Sequence, residues 1–298
     1  MFTYDQRQRY RILKTAANQL VAGFAGGAAG RIRVLDVGGA ATDPAGGGYW
    51  LPLREIFIGT KAENPGAISN EMPFLVSLDV VDCREPGFVR GSGLRLPFKD
   101  GTFDVVAALD VLEHVPAHER GRLTAELARV SADMIVVSCP VKAEIVVKAE
   151  GVIAGEIARR LGVCQAQLDE HREYGLPGAT EVDNILGGLR PFVSSFGYGS
   201  VPSWLIYQAF RSDLLGRRDI PRIVDAIDRY WMGQNQFSEY EPPFYRRFWI
   251  ASNSNTGNTG TYHLSVLKSG QISDMSPSVL SSYKLNNNNW LGSSASDS

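Results

Sequence analysis

One apolar run, residues 103–109, constrains the fold of this chain more than any other feature. The run follows a turn at Lys99-Asp100-Gly101, and its apolar, valine-containing sequence is typical of a strand buried inside a parallel sheet. It ends in the acid Asp110, and Glu113 and His114 follow closely. Because ligands bind at the carboxyl edge of parallel sheets, we expect these residues to face a ligand.

A second apolar run, residues 31–37, leads through Asp36 into the pair Gly38 and Gly39. A carboxylate at this point can accept hydrogen bonds from an ammonium group or a ribose. The glycines lack a Cβ, so a ligand can approach the backbone closely. This combination suits a cationic nucleoside.

Two other nucleotide sites are disfavoured by the glycine pattern. The nicotinamide fingerprint G-x-G-x-x-G needs glycines at positions 38, 40 and 43, where the chain has Gly38, Ala40 and Asp43. The run of glycines at 46–48 lacks the Gly-Lys-Ser/Thr ending of a phosphate-binding loop. The pattern therefore argues against NAD and against a nucleoside triphosphate.

Together the two segments resemble the class I S-adenosylmethionine-dependent methyltransferases of the type 11 kind. The chain has their V-L-D-x-G pattern at 34–38 and L-P-F-x-D-x-x-F-D-x-V at 96–106, and the resemblance extends over roughly residues 30–140. It implies S-adenosylmethionine as the cofactor. The first glycine loop would hold the methionine half of the cofactor, and the acid after strand 74–78 would bind the ribose. A loop near residue 92 would bind the adenine, and the end of strand 103–109 would lie beside the sulfonium. In chain order the implied cofactor-binding residues are Asp36, Gly38, Gly39, Ala40, Asp79, Val80, Ser92, Gly93, Leu94, Asp110 and Val111.

The chain departs from the family pattern in two places, at position 92 and in the first glycine loop. The family usually carries an acid at position 92 that binds the adenine amino group, whereas Ser92 can accept a hydrogen bond only without charge assistance. Ala40 and Thr42 replace the second and third glycines of the first loop. We expect weaker adenine binding and a stiffer loop.

His114 and His171 are the candidate catalytic residues. Either could act as a general base if the acceptor is a hydroxyl, although methyl transfer often needs only alignment. Pro116 lies between His114 and His118 and disrupts the helix that would place them on one face, so we expect no metal site.

The stretch around His171, residues 168–177, is similar to one in bacterial methyltransferases associated with glycosyltransferases. This resemblance favours a small-molecule or saccharide acceptor and an association with glycosyltransferases.

Composition and charge limit the partners and the cellular location that the chain is expected to have. A net charge of −2 and a pI near 6.1 argue against a nucleic-acid partner. Three cysteines without a C-x-x-C pair indicate reduced thiols. With no apolar leader and no apolar run of membrane length, the sequence predicts a cytoplasmic protein without a membrane span.

The alternation of strands and helices predicts an α/β fold, a Rossmann-like doubly wound sheet that is mostly parallel, with helices on both faces. Residues 1–251 form the methyltransferase domain in this interpretation, with a helical insertion at about 203–232 and a late antiparallel strand at 244–251 near one edge. Residues 252–298 have a low-complexity composition and are predicted to form a tail, with one extra strand at 262–267.

The sequence therefore predicts a methyltransferase that acts on a small-molecule or glycan-related acceptor. Two alternatives stay open. The chain could be a non-catalytic, cofactor-binding scaffold in a glycan-assembly complex, as Ser92 and the altered first loop allow. It could also, against its glycine pattern, be an NAD-dependent oxidoreductase.

Overall fold

A seven-stranded sheet organises the molecule. The computed structural model describes residues 3–23, 31–42, 48–58, 73–215 and 242–254. The strands are β1 (Arg33–Val37), β2 (Ala41–Thr42), β3 (Tyr49–Trp50), β4 (Phe74–Asp79), β5 (Phe88–Arg90), β6 (Phe103–Leu109), β7 (Ser131–Pro140), β8 (Phe192–Ser200) and β9 (Phe244–Ser252). The sheet order is β5-β4-β1-β6-β7-β9-β8, and β2 and β3 form a separate hairpin.

Of the seven strands that the structure describes in this sheet, only β9 runs against the direction of its neighbours. The pairs from β5 to β7 are parallel, and β9 pairs antiparallel with both β7 and β8. The helices are α1 (Tyr4–Gly23), α2 (Pro52–Ile58), α3 (Arg120–Val130), α4 (Glu144–Leu161), α5 (Ala166–Tyr174), α6 (Ala179–Gly187) and α7 (Val201–Leu215), with short 3-10 turns at 112–114 and 117–119. The predicted fold class is confirmed.

Helices cover both faces of the sheet. Successive residues of β6 point to opposite faces, so Val105 and Ala107 contact one core cluster while Val106 and Ala108 contact the other. The first cluster includes residues of α1 and α2, and the second includes residues of α3 and α6. Burial on both sides explains why the sequence of β6 is apolar without alternation.

A third apolar cluster lies among α4, α5 and α7. It includes Ile153, Leu168 and Trp204, together with Tyr245 from β9. The Trp204 and Tyr245 rings stack with centroids 4.1 Å apart. This cluster holds α5, which carries His171, against the rest of the domain.

Only some of the elements predicted near the C-terminus fall on residues that the structure describes. The predicted antiparallel strand at 244–251 corresponds to β9 and is confirmed. In the proposed insertion at 203–232, α7 accounts for the residues through 215, and 216–232 lie outside the described residues, as does the predicted strand at 262–267. Strand β8 has no counterpart among the strands predicted from the sequence. Among the described residues, no helix combines the length and apolar composition needed to cross a membrane.

Candidate active site

Three acids end three adjacent strands at one edge of the sheet. Strand β1 lies between β4 and β6, and its Asp36 is in register with Ser77 on one side and Ala107 on the other. Asp79 is the last residue of β4, and Asp110 directly follows β6. The parallel pairing therefore places Asp36, Asp79 and Asp110 at the same carboxyl edge, as the sequence predicts.

Asp36 is buried beneath α1. Its Oδ2 accepts a 2.7 Å hydrogen bond from the Tyr10 hydroxyl. Its Oδ1 has no hydrogen-bond partner among the residues that the structure describes. Burial raises the pKa of Asp36 to about 7, against the opposing effects of the Tyr10 hydrogen bond and the charge of Arg9. The sequence analysis does not identify Tyr10, which is buried on α1 together with Leu13 and Ala17.

The glycine turn after β1 is held close to β4 and β6. The backbone N–H groups of Gly38 and Gly39 donate to the Leu78 carbonyl at 2.8 and 3.3 Å. Gly38 has a φ of +75°, and a Cβ there would lie 2.5 Å from a methyl carbon of Val111. A Cβ on Gly39 would lie 2.4 Å from Asp36 Oδ2. The turn leaves no room for side chains at either position.

Asp79 connects two loops at this edge. One carboxylate oxygen accepts a 2.7 Å hydrogen bond from the Val80 N–H, and the other accepts a 3.2 Å bond from the Ala40 N–H. Val80 itself is exposed. Each carboxylate oxygen has further lone pairs, so Asp79 can also accept hydrogen bonds from a ribose.

The predicted adenine loop lies beside the same edge. Ser92 is exposed, and its Oγ accepts a 3.3 Å hydrogen bond from the Leu94 N–H. A Cβ on Gly93 would lie 2.7 Å from Leu123 Cδ1 and 3.0 Å from Val37 Cγ1. Gly93 thus allows this loop to approach the end of β1, and the assignment of adenine to it stays a prediction.

Asp110 is bound by protein groups on both carboxylate oxygens. Oδ2 lies 2.9 Å from Arg9 Nη1 and 2.8 Å from Arg246 Nη2, and Oδ1 accepts a 2.9 Å bond from Ser138 Oγ. Arg246 also forms an ion pair with Asp5 of α1. Asp110 therefore joins α1, β7 and β9 at the end of β6. Its assignment and that of Val111 to the sulfonium side stay predictions.

The two candidate catalytic histidines lie side by side. Their ring centroids are 4.8 Å apart, although 57 positions separate them in sequence. His114 Nδ1 lies 2.7 Å from Glu170 Oε2, and His171 Nδ1 lies 2.9 Å from Glu150 Oε1. Burial and the neighbouring His171 lower the pKa of His114. The side chain of His114 is 26% exposed and that of His171 is 6% exposed, so His114 is the more accessible of the two.

Glu113 is buried beside the histidine pair, with a residue exposure of 1%. Burial, followed by the charge of Asp110, raises the pKa of Glu113 well above its usual value. The exposed His118 lies apart from this group, so the histidine that joins His114 is His171 and not its sequence neighbour.

A family profile described as a methyltransferase domain matches residues 70–133, the region from β4 to the start of β7. Among curated proteins, none matches the sequence. Magnesium protoporphyrin IX methyltransferase from Synechocystis PCC 6803, solved with bound SAM, is similar at 13% identity and a TM-score of 0.41, covering 84% of this chain and 80% of that chain. A putative sarcosine dimethylglycine methyltransferase from Galdieria sulphuraria is similar at 12% identity and 0.41, covering 84% and 86%. The plantazolicin methyltransferase BpumL, in complex with SAH, is similar at 12% identity and 0.43, covering 84% and 88%.

Proposed function

We propose that the chain is a class I S-adenosylmethionine-dependent methyltransferase and that its acceptor is a small, hydroxyl-bearing molecule related to glycans. The observation that carries this proposal is the position of α5. This helix belongs to the stretch that resembles glycosyltransferase-associated methyltransferases, and it packs against the 3-10 turn at 112–114. The contact brings Glu170 and His171 to His114, at the sheet edge where a transfer reaction would occur.

The residues at this edge fit the cofactor. Asp36 Oδ1, which has no partner among the described residues, can accept a hydrogen bond from the cofactor's ammonium group, and the neighbouring Gly38 is exposed. Asp79 has lone pairs for the ribose hydroxyls. When bound, S-adenosylmethionine supplies a methyl group that its sulfonium charge makes electrophilic.

His114 is the residue placed to take the acceptor's proton. Because the pKa of His114 is lowered, its imidazole is neutral near pH 7 and can accept a proton. Glu170 at Nδ1 orients the ring and leaves Nε2 as the nitrogen for the acceptor. His171, which Glu150 holds behind it, acts as a positioning residue.

Calorimetric titration with S-adenosylmethionine tests the cofactor assignment. We expect wild-type protein to bind and Asp79→Ala to bind roughly tenfold more weakly or worse, because the ribose loses its acceptor. Asp82→Ala is the matched control, since Asp82 is exposed and lies three residues further along. Absence of binding at high micromolar concentrations would overturn the proposal. Binding of NAD in its place would favour an oxidoreductase.

A transfer assay tests the acceptor. Methyl-labelled cofactor is incubated with free sugars, nucleotide sugars and simple alcohols, and labelled product is measured by mass spectrometry. We expect label on a saccharide hydroxyl, with strong loss of rate in His114→Ala and none in His118→Ala. Cofactor binding without transfer to any acceptor would instead favour the scaffold alternative.

A further inference from the structure

Glu113, His114 and His171 form a compact group that we call the Glu-His-His cluster. One possible ligand atom from each residue lies within 4.8 Å of the other two. Glu113 and His114 come from the 3-10 turn after β6, and His171 comes from α5. The fold therefore creates this cluster from two distant segments.

Both histidines are already oriented as metal ligands usually are. His114 Nδ1 lies against Glu170, and His171 Nδ1 lies against Glu150. In metal sites a ligating histidine almost always donates its other ring N–H to a carboxylate, a carbonyl or water, which fixes the tautomer. Here the two carboxylates leave both Nε2 atoms as the nitrogens that can bind a ligand. Glu150 is itself held by a 2.8 Å hydrogen bond from the Tyr245 hydroxyl.

Two buried atoms of the cluster lack partners. Glu113 is 1% exposed and His171 is 7% exposed. Within the described part of the chain, neither Glu113 Oε2 nor His171 Nε2 has a hydrogen-bond partner. Buried polar atoms are normally satisfied, so each such atom requires an explanation. A cation bound between them would satisfy both.

We propose that the Glu-His-His cluster binds a divalent transition-metal ion of the Zn²⁺, Co²⁺ or Fe²⁺ class. Two imidazoles and one carboxylate are a ligand set that these ions accept, and three protein ligands leave positions open for a further oxygen. With bonds of about 2.1 Å in a tetrahedral site, ligand atoms lie about 3.4 Å apart. The atoms of the cluster lie up to 4.8 Å apart, so metal binding requires its side chains to move closer together.

The surrounding charges are compatible with a cation. The arginines whose charge reaches Glu113, Arg9 and Arg246, are both ion-paired with Asp110. Glu150 and Glu170 add negative charge behind the two imidazoles.

The catalytic effect of a metal ion in this cluster depends on the function proposed above. An ion at this position would hold the acceptor's oxygen at an open coordination position and lower the pKa of that hydroxyl. With the ion bound, His114 Nε2 would be a ligand and not the base proposed above, and the hydroxyl proton would pass to water. The saccharide acceptors proposed above offer oxygen ligands of this kind.

Titration of the 298-residue chain with Co²⁺, after removal of bound metals by a chelator, tests the site directly. We expect one ion per chain, with the absorption spectrum of a nitrogen and oxygen ligand set. A thiolate charge-transfer band would assign the ion to a cysteine such as the exposed Cys164 and would overturn the proposal. Failure of the wild-type protein to bind Co²⁺ stoichiometrically would overturn it as well.

Variants locate the ion. We expect Glu113→Gln and His114→Ala each to weaken Co²⁺ binding by roughly tenfold or more, and the matched control His118→Ala to leave it unchanged. Circular dichroism confirms that each variant is folded. If the variant at the buried Glu113 does not fold, the variant at the more exposed His114 still tests the site. Equal weakening by His118→Ala would contradict the assignment. A titration with S-adenosylmethionine on the same sample separates the two proposals, because cofactor binding without Co²⁺ binding overturns only the metal site.

Discussion

The Tyr10 hydroxyl donates a 2.7 Å hydrogen bond to Asp36 Oδ2, and both residues are buried. This bond connects α1 to the end of β1, where the glycine turn begins. Because the other oxygen of Asp36 has no partner within the described segments, Tyr10 is the group that fixes the carboxylate's orientation. The N-terminal helix is thus part of the site and not only a cover for the sheet.

Replacement of Tyr10 by Phe should destabilise the protein. The variant leaves Asp36 Oδ2 buried without its donor, which costs about 1–3 kcal/mol. Urea unfolding measures the loss, and Tyr49→Phe is the matched control because Tyr49 is exposed. A free energy of unfolding equal to that of wild type would show that water replaces the tyrosine hydroxyl.

The raised pKa of Asp36 makes stability depend on pH. The folded-state value of about 7 exceeds the unfolded value near 4, so the folded state binds more protons between these limits. Stability due to this group therefore falls as pH rises from about 4 to 7 and is constant above. Between pH 5 and 8 we expect wild type to lose on the order of 2–3 kcal/mol more than Asp36→Asn, measured by urea unfolding. The nearby Tyr10, Arg9 and Asp79 are present in both proteins, and parallel pH profiles would contradict the assignment.

The sequence was sufficient for the sheet and for the positions of the three acids. Strand β6 is buried on both faces, so its apolar run is visible without any knowledge of its neighbours. Once the strands are taken as parallel, Asp36, Asp79 and Asp110 must lie at one edge. These predictions follow from local patterns, and the structure confirms the placement.

Other parts could not be read from local patterns. Strand β8 has the sequence FVSSFGYGS, whose serines and glycines are typical of a loop, and it becomes a strand because β9 pairs with it. The pairing of Asp110 with Arg9 and Arg246 joins residues about 100 or more positions apart. Only the three-dimensional arrangement brings such partners together.

Replacement of Arg246 by Met should break a buried ion network. Arg246 is 3% exposed and pairs with both Asp5 and Asp110. Removal of one partner from a buried pair typically costs about 3–5 kcal/mol, because the remaining charge stays uncompensated. Arg172→Met is the control, since Arg172 pairs with Asp169 at the surface and should change stability by less than about 1 kcal/mol. If denaturant unfolding gives the same loss of stability for both variants, the buried network stabilises the protein no more than a surface ion pair does.

Gly38→Ala should impair both folding and cofactor binding. At a φ of +75° the new Cβ costs about 1–2 kcal/mol, and it would also meet a methyl carbon of Val111 at 2.5 Å. The control is Gly155→Ala in α4, where open space surrounds the position and the change should add up to about 1 kcal/mol of stability. Calorimetric titration with S-adenosylmethionine should show weaker binding for Gly38→Ala alone. Unchanged affinity would mean that the cofactor does not use this turn.

Ser92→Asp should strengthen cofactor binding. The family resemblance implies an acid at this position that accepts a hydrogen bond from the adenine amino group, and the exposed Ser92 offers only a neutral oxygen. A charge-assisted bond exceeds a neutral one by about 1 kcal/mol, which corresponds to roughly a fivefold gain in affinity. Ser92→Asn separates the effect of charge from that of size and should bind like wild type. If calorimetry gives the same affinity for all three proteins, adenine does not lie against this loop, and the cofactor must be oriented differently along the sheet edge.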